Sequence, residues 1–241
     1  MKRTALVTGA GKRVGRAVAL ELAAKGFEVA LHYRSSKAAI EEVAQLCEEA
    51  GGSAWCVQGD LASVEAVQRI GAAVRERWKR LDILVNNASL FEPVPFSDLT
   101  AEQWDEMMAV NVRAPFLLSR DALPLLQSSK GLVIHMCDIG GDRPMPGYAH
   151  YSVSKSALIG LVKSMAVELG PEVRCVGISP GHVVWPEDWD ETIRDKMLER
   201  IALKRVGRAE DVGKLIHFLW KDGTYIHGDV IAVDGGLAAH Y

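Results

Sequence analysis

The sequence lacks any apolar run close to the roughly 18 residues that a membrane-spanning helix needs. Its first apolar run follows Lys2 and Arg3 and ends within a few residues at Gly9, so it is too short for the apolar core of a secretory signal peptide. These two absences predict a cytoplasmic protein that makes no membrane contact.

Cysteine is scarce and scattered. The four cysteines, Cys47, Cys56, Cys137 and Cys175, show no C-x-x-C or Cys/His spacing of the kind that metal sites use. We therefore expect reduced thiols, no disulfide framework and no metal.

An excess of charge of one sign is also missing. The chain has 28 basic and 31 acidic residues, a net charge of −3, and no block of like charge that would bind nucleic acid. It has no linker rich in Pro, Gly or Ser and no internal repeat. With 49% hydrophobic residues, residues 1–241 are predicted to form one globular domain.

Short β-branched runs alternate with longer segments of helical period, which is the pattern of βαβ units. The predicted strands are Thr4–Thr8, Glu28–Tyr33, Ser53–Gln58, Ile83–Asn86, Gly131–Met136, Val173–Ser179 and Val230–Val233. The predicted helices are Arg13–Lys25, Lys37–Ala50, Val64–Trp78, Ala101–Gln127, Tyr151–Leu169 and Glu210–Lys221. The pattern predicts a single-domain, doubly wound (Rossmann-type) α/β fold, with a parallel sheet of about seven strands and helices on both faces. Ligands would bind outside the carboxyl ends of the strands.

Residues 182–200, HVVWPEDWDETIRDKMLER, interrupt this alternation between a strand and the last helix. An insertion at the carboxyl end of a strand commonly forms a lid or a wall of the substrate site. The alternative is a surface helix that merely extends the fold.

A glycine-rich turn, TGAGKRVG, follows the first strand and opens a helix. Glycines at positions 9, 11 and 15 permit a tight turn, and a helix N-terminus supplies N–H groups for a pyrophosphate. A plain βα loop is the alternative. The spacing excludes a nucleoside-triphosphate P-loop, because Lys12 precedes Arg13 instead of Ser or Thr, and Leu6 stands where that motif needs glycine.

The second strand lacks the acidic residue that usually holds the ribose of NAD. It runs instead into a polar and basic segment, His32 to Lys37, while Arg13 lies in the glycine turn. These groups predict a site for a 2′-phosphate and favour NADP. Asp60, after the third strand, either accepts from the adenine amino group or caps the next helix.

Tyr151 and Lys155 are four residues apart on a predicted helix, so the phenol and the ammonium share one face. A cation at this distance is expected to lower the pKa of the phenol and prepare it for proton transfer. The pair predicts the acid of a reductase.

The order TGAGKRVG, NNAS at 86–89, NV at 111–112, Tyr151-x-x-x-Lys155 and PG at 180–181 resembles the short-chain dehydrogenase/reductase family over essentially the whole chain. The resemblance implies that Tyr151 is the general acid, that Lys155 binds the nicotinamide ribose, and that Asn111 orders a proton-relay water. It also implies an oligomer, usually a homotetramer.

A closer resemblance, to pteridine reductases, lies in GKRVGRAVA, LHYRSS, NNASLFEPVPF and HMCDIGGDRPMPGYAHYSVSKSAL. It implies that Asp138 replaces the usual serine, that Phe91 stacks on a pterin, and that Arg13 contacts both NADPH phosphate and pterin. The chain lacks the long insertion that parasite members carry after the aromatic motif, and so looks more like a bacterial member. Trp185 is a candidate wall of the pocket.

The charge of Asp138 argues for the same substrate. A carboxylate about 4 Å from a forming alkoxide costs on the order of 4 kcal/mol at an effective dielectric of 20, whereas the ring nitrogen of a reduced C=N bond becomes more basic. Asp138 as a simple cap of the following turn is the alternative reading. We therefore predict an NADPH-dependent reductase of a pteridine C=N bond, with dihydropterins as substrates and dihydrofolate and dihydromonapterin as further candidates. The alternatives are a 3-oxoacyl or sugar ketoreductase and a non-catalytic NADP-binding sensor.

The predicted site residues form three sets. The catalytic set is Asp138, Tyr151, Lys155 and Asn111. The cofactor set is Gly9, Arg13, Val14, Gly15, Tyr33, Arg34, Ser35, Asp60, Leu61, Asn87, Ser89, Tyr151, Lys155, Pro180 and Gly181. The substrate set is Arg13, Ser89, Phe91, Asp138, Tyr151 and Trp185.

Overall fold

The computed structural model describes residues 2–185 and 190–239. Within them, seven strands form one parallel sheet in the order β3-β2-β1-β4-β5-β6-β7. The strands are β1 (Arg3–Val7), β2 (Phe27–Tyr33), β3 (Ser53–Gln58), β4 (Ile83–Asn86), β5 (Leu132–Met136), β6 (Arg174–Pro180) and β7 (Val230–Val233). The predicted strands agree with these within one residue at each end.

The helices of the described residues are α1 (Arg13–Ala24), α2 (Lys37–Glu49), α3 (Val64–Arg77), α4 (Ala101–Met108), α5 (Ala114–Ser129), α6 (Ala149–Leu169), α7 (Glu191–Arg200) and α8 (Ala209–Lys221). Buried side chains of α1, α2 and α8 pack on one face of the sheet, and those of α3, α5 and α6 pack on the other. The doubly wound fold is therefore confirmed.

The central strands are mostly apolar because both faces of the sheet are covered. In β1, Ala5 and Val7 belong to one core cluster and Leu6 to the other, as the two-residue period of a strand requires. The strand order reverses between β1 and β4, so the crevice for a ligand lies beyond the carboxyl ends of these two strands.

Residues 101–127 are helical as predicted, but a π turn that the sequence did not predict divides them into two helices. Helix α4 ends at Met108, a π turn covers Ala109–Arg113, and α5 continues from Ala114. A π turn accommodates one extra residue within a helix and is frequent at functional sites. It contains Asn111.

The 182–200 segment lies at the carboxyl end of β6, and its residues 186–189 fall outside the described residues. Val183 is buried, whereas α7 buries none of its side chains. Among the described residues, no helix is long and apolar enough to cross a membrane.

Candidate active site

The glycine turn joins β1 to α1 in a conformation that needs its glycines. Gly9 has a φ of +63°, in the left-handed region that favours glycine. A Cβ on Gly15 would lie 2.2 Å from the carbonyl oxygen of Gly9. The Lys12 side chain makes no capping hydrogen bond to α1 among the described residues, so the first N–H groups of the helix remain available to a phosphate. The turn therefore fits a dinucleotide pyrophosphate.

Arg13 also has a left-handed backbone, with a φ of +51°, although it carries a side chain. Such a residue costs roughly 1–2 kcal/mol relative to glycine. Its guanidinium donates a hydrogen bond to the carbonyl oxygen of Val184 at 3.2 Å. Arg13 therefore lies between the glycine turn and the loop after β6, where both a cofactor phosphate and a substrate are expected.

Thr8 and Asn87 hold the glycine turn against the loop after β4. The Thr8 hydroxyl accepts from the backbone N–H of Asn87 at 2.8 Å and of Ala88 at 3.0 Å. The Asn87 amide donates to the Thr8 carbonyl at 2.8 Å. Val14 packs against the core on the helix side of the turn. These contacts fix the crevice between β1 and β4.

At the ends of β2 and β3, Arg34 and Ser35 are exposed, and Tyr33 is half-buried. Asp60 is exposed and accepts from the backbone N–H of Ala62 at 2.9 Å, beside the buried Leu61. The alternative that Asp60 caps the next helix is wrong, because Ser63 caps α3.

His32 is the exception among the polar residues at this end of the sheet. The sequence groups it with the donors to a 2′-phosphate, but its side chain is buried, with 2% of its surface exposed. The ring contacts Gly9 and Gly59 instead. The prediction that His32 belongs to the 2′-phosphate site is wrong, because its ring lies between the glycine turn and the end of β3.

The structure brings Tyr151, Lys155 and Asp138 together at the carboxyl end of β5. Tyr151 and Lys155 are buried on one face of α6, with the Lys155 ammonium 5.6 Å from the Tyr151 ring centroid. Lys155 donates to the Met136 carbonyl at 2.8 Å. The Asp138 carboxylate and the Tyr151 ring both lie next to Gly140, and Asp138 raises the pKa of the Tyr151 phenol.

Asp138 uses one carboxylate oxygen to cap the short turn that follows it. Its Oδ1 accepts from the backbone N–H of Gly140 at 2.6 Å. The alternative that Asp138 caps the following turn is therefore correct for Oδ1. The cap does not exclude a catalytic role for Asp138, since the same carboxylate also acts on Tyr151.

The prediction that Tyr151 has a lowered pKa is wrong in this structure. Burial and, next, the charge and hydrogen bond of Asp138 raise the pKa of Tyr151 well above its usual range. Burial lowers the pKa of Lys155, while Asp138 opposes that shift. Tyr151 therefore carries its proton at neutral pH, as a general acid must.

Asn111 lies in the π turn and joins the loop after β4 to α6. Its Oδ1 accepts from the Leu90 backbone N–H at 2.8 Å and the Ser89 hydroxyl at 3.2 Å. Its Nδ2 donates to the Leu90 carbonyl at 3.1 Å and to Ser154, which stands between Tyr151 and Lys155 in the chain, at 3.0 Å. The side-chain amide is thus engaged by protein groups and positions the catalytic face of α6.

Phe91 and Tyr148 form an aromatic wall together with Tyr151, beside Asp138 and Lys155. Phe91 is 46% exposed, so the alternative of an ordinary core aromatic is wrong. It stacks on Tyr148 with ring centroids 4.5 Å apart and planes at 16°, and it meets Tyr151 edge-on at 4.7 Å. Sequence analysis missed Tyr148, although an aromatic one turn before Tyr151 was a usable signal.

The end of β6 and the loop after it contain the other residues predicted to line the site. Pro180 pairs with Val233, and the Gly181 N–H donates to the Val233 carbonyl at 3.0 Å. Trp185 packs against His182, with ring centroids 5.2 Å apart. Burial lowers the pKa of His182, and the charge of Asp138 opposes that shift. Sequence analysis did not single out His182.

A Rossmann-type sheet, a dinucleotide-binding turn and a Tyr-Lys pair at one crevice define a nicotinamide-dependent oxidoreductase. Residues 9–238 match the family model described as enoyl-(acyl carrier protein) reductase. The chain is 32% identical to a 3-oxoacyl-(acyl-carrier-protein) reductase FabG of Staphylococcus epidermidis, over 98% of this chain and 99% of that one. It is 32% identical to a 3-oxoacyl-(acyl-carrier-protein) reductase of Synechocystis, over 98% and 96%.

Solved structures agree with these relatives. A short-chain dehydrogenase/reductase from Serratia marcescens superposes with a TM-score of 0.91 at 33% identity, covering 98% of both chains. The chain belongs to the short-chain dehydrogenase/reductase family. It is an oxidoreductase of that family.

Proposed function

We propose that this protein is an NADPH-dependent reductase that transfers hydride to a C=N bond of a pteridine, with dihydropterins as substrates. The observation that carries the proposal is the placement of the Asp138 carboxylate and the Tyr151 ring side by side at Gly140, where the charge of Asp138 raises the pKa of the phenol. A ketone reduced at this acid would develop an alkoxide beside the carboxylate. At about 4 Å and an effective dielectric of 20, that repulsion costs on the order of 4 kcal/mol, or about three decades in rate.

A pteridine turns the same carboxylate into a favourable contact. Its ring N–H and amino groups are donors, and a half-buried carboxylate such as that of Asp138 accepts such donors strongly. Hydride addition to its C=N bond leaves a strongly basic ring nitrogen, which can take the proton of Tyr151 even though the raised pKa makes this phenol a weaker acid. Asp138 then interacts with the protonated or hydrogen-bonded ring and not with an anion.

The aromatic wall supports a flat substrate. Phe91 offers an exposed ring, fixed from behind by its stack on Tyr148. Stacking on an aromatic ring stabilises a heterocycle by about 0.5–1.5 kcal/mol beyond its buried area. An acyl chain has no aromatic face, so it would gain no stacking energy from the exposed ring of Phe91.

The basic residues at the adenosine end support NADPH over NADH. Arg34 and Ser35 are exposed after β2, which ends without an acid, and Arg13 lies in the glycine turn. Arginine binds phosphate through two parallel hydrogen bonds, and a 2′-phosphate distinguishes the two cofactors. Bound NADPH would supply the hydride, and Lys155 would hold its ribose beside Tyr151.

A second candidate is reduction of a 3-oxoacyl group, and the relatives named for that reaction favour it. A substrate panel separates the two. We expect NADPH oxidation, followed by absorbance, to be faster with dihydrobiopterin or dihydrofolate than with a 3-ketoester, and faster with NADPH than with NADH. Faster turnover of the ketoester would favour the second candidate, and NADPH binding without any turnover would favour a sensor.

Replacing Arg13 with glycine tests the proposed double role of that side chain. Relief of the left-handed backbone, about 1–2 kcal/mol, is offset partly by the greater freedom of glycine in the unfolded chain. We therefore expect Arg13→Gly to keep or slightly raise Tm, while the dissociation constant for NADPH rises about tenfold because a charged hydrogen bond is lost. Calorimetry and fluorescence titration measure the two effects.

Lys130→Gly is the matched control. Lys130 also has a φ of +51°, but it ends α5 away from the glycine turn. The same relief of the backbone should occur there with unchanged NADPH binding. An Arg13→Gly protein that binds NADPH like the wild type would contradict the role given to Arg13.

A further inference from the structure

The ring of His32 joins the glycine turn to the end of β3. Its Nδ1 accepts a hydrogen bond from the backbone N–H of Gly9 at 3.2 Å, and its Nε2 lies 3.0 Å from the carbonyl oxygen of Gly59. The His32 carbonyl accepts from the N–H of Ala10 at 2.9 Å. One buried residue of β2 therefore contacts both neighbours of its strand just beyond the sheet.

These two contacts determine the tautomer of the ring. Because Gly9 can only donate through its N–H, Nδ1 must be the unprotonated acceptor, and the proton lies on Nε2 and is donated to Gly59. Burial lowers the pKa of His32, against smaller opposing effects of the Gly59 carbonyl and of Asp60. The neutral ring thus satisfies one donor and one acceptor at the same time.

The N–H of Gly9 has a particular position in the site. Regular pairing of β1 with β2 ends at Val7 and Leu31, so the His32 side chain provides the next contact beyond the sheet. Gly9 is the left-handed residue around which the turn bends, and its carbonyl oxygen faces the Asn87 amide at 3.3 Å. Its N–H and its carbonyl are therefore held from opposite sides, by His32 and by Asn87.

We propose that His32 is a positioning residue for the dinucleotide, which fixes the glycine turn relative to the end of β3. The pyrophosphate is expected at the glycine turn and the adenosine beyond the ends of β2 and β3, so the separation of these two parts determines how well the whole cofactor fits. This proposal rests on the NADPH assignment made above. In the contacts described, the His32 side chain hydrogen-bonds only Gly9 and Gly59, while its backbone carbonyl accepts from Ala10.

Two substitutions separate the two ends of the bridge. His32→Asn places an oxygen where Nδ1 accepts from Gly9, so it keeps that contact and loses the one with Gly59. His32→Leu introduces an apolar side chain of similar length and loses both contacts. We expect His32→Leu to raise the dissociation constant for NADPH about tenfold, because the partly buried N–H of Gly9 loses its acceptor. His32→Asn should stay within about threefold of the wild type. At saturating NADPH, kcat should change less than about twofold in both.

His227, which is more exposed than His32, provides a control for the hydrogen bonds alone, because it forms the same type of bridge elsewhere. Its Nδ1 accepts from the N–H of Cys175 at 3.0 Å, and its Nε2 lies 2.8 Å from the carbonyl oxygen of Ala166. His227→Leu therefore removes the same two contacts at the start of β6. It should lower Tm without changing the NADPH dissociation constant measured by fluorescence titration.

The outcomes are distinct. A folded His32→Leu protein that binds NADPH like the wild type would overturn the proposal, as would an equal loss of affinity in His227→Leu. If His32→Leu does not fold, His32→Gln, which reaches Gly59 but not Gly9, should show the tenfold loss that His32→Asn avoids, and equal affinities of these two would overturn the proposal. A wild-type protein that does not bind NADPH would overturn the cofactor assignment itself, and this proposal with it.

Discussion

Replacing Tyr151 with phenylalanine is expected to lower kcat by at least about two decades, since a positioned general acid contributes that much to a reductase. Tyr151 is buried beside Asp138, so the substitution removes the proton donor and preserves the ring that meets Phe91. The dissociation constant for NADPH should change less than about threefold. Stopped-flow measurement of NADPH oxidation at saturating substrate gives kcat, and titration gives the affinity.

Tyr225→Phe is the control for this experiment, because the Tyr225 side chain is fully exposed. It should leave both quantities unchanged. Turnover by Tyr151→Phe at the rate of the wild type would remove Tyr151 from the mechanism.

Replacing Asp138 with serine is expected to exchange the substrate preference. Serine caps a turn nearly as well as aspartate, so the contact with the Gly140 N–H is retained and the fold should persist. Loss of the carboxylate removes a repulsion of about three decades against an alkoxide, so kcat/KM for a 3-ketoester should rise by up to that factor. Turnover of a dihydropterin should fall at least about tenfold, because its ring loses a charged acceptor.

The pH profile gives an independent readout of Asp138→Ser. The charge of Asp138 contributes to the raised pKa of Tyr151, so its removal should move the loss of activity at high pH to lower pH. Asp142→Ser removes a neighbouring exposed carboxylate as a control, and should change neither preference nor profile. Unchanged preference in Asp138→Ser would contradict the role that we assign to this carboxylate.

The sequence predicts most of the sheet because each strand is a short apolar run between clear turn signals. It also predicts the glycine turn and the Tyr151–Lys155 pair, since both depend on local spacing along one helix or one loop. Asp138, two residues after the end of β5, is found through the resemblance to pteridine reductases, in which an aspartate takes the place of the usual serine.

Other features of the site depend on contacts between distant parts of the chain. The His32 bridge and the stack of Phe91 on Tyr148 join residues that no local pattern connects. The pKa of Tyr151 was mispredicted because spacing gives the distance to Lys155 but not the burial of the phenol or its contact with Asp138. The balance of burial and charge that determines this pKa depends on the folded structure and not on sequence spacing.

The π turn between α4 and α5 changes how that part of the chain must be compared or engineered. One additional residue in a helix shifts the angular phase of everything after it by about 100°. Met107 before the turn and Leu117 and Leu118 after it are nevertheless all buried, so the two helices follow separate registers that meet at Asn111. Deleting a single residue from 109–113 would therefore rotate the apolar face of one helix away from the sheet, whereas a substitution in the same stretch would leave both registers in place.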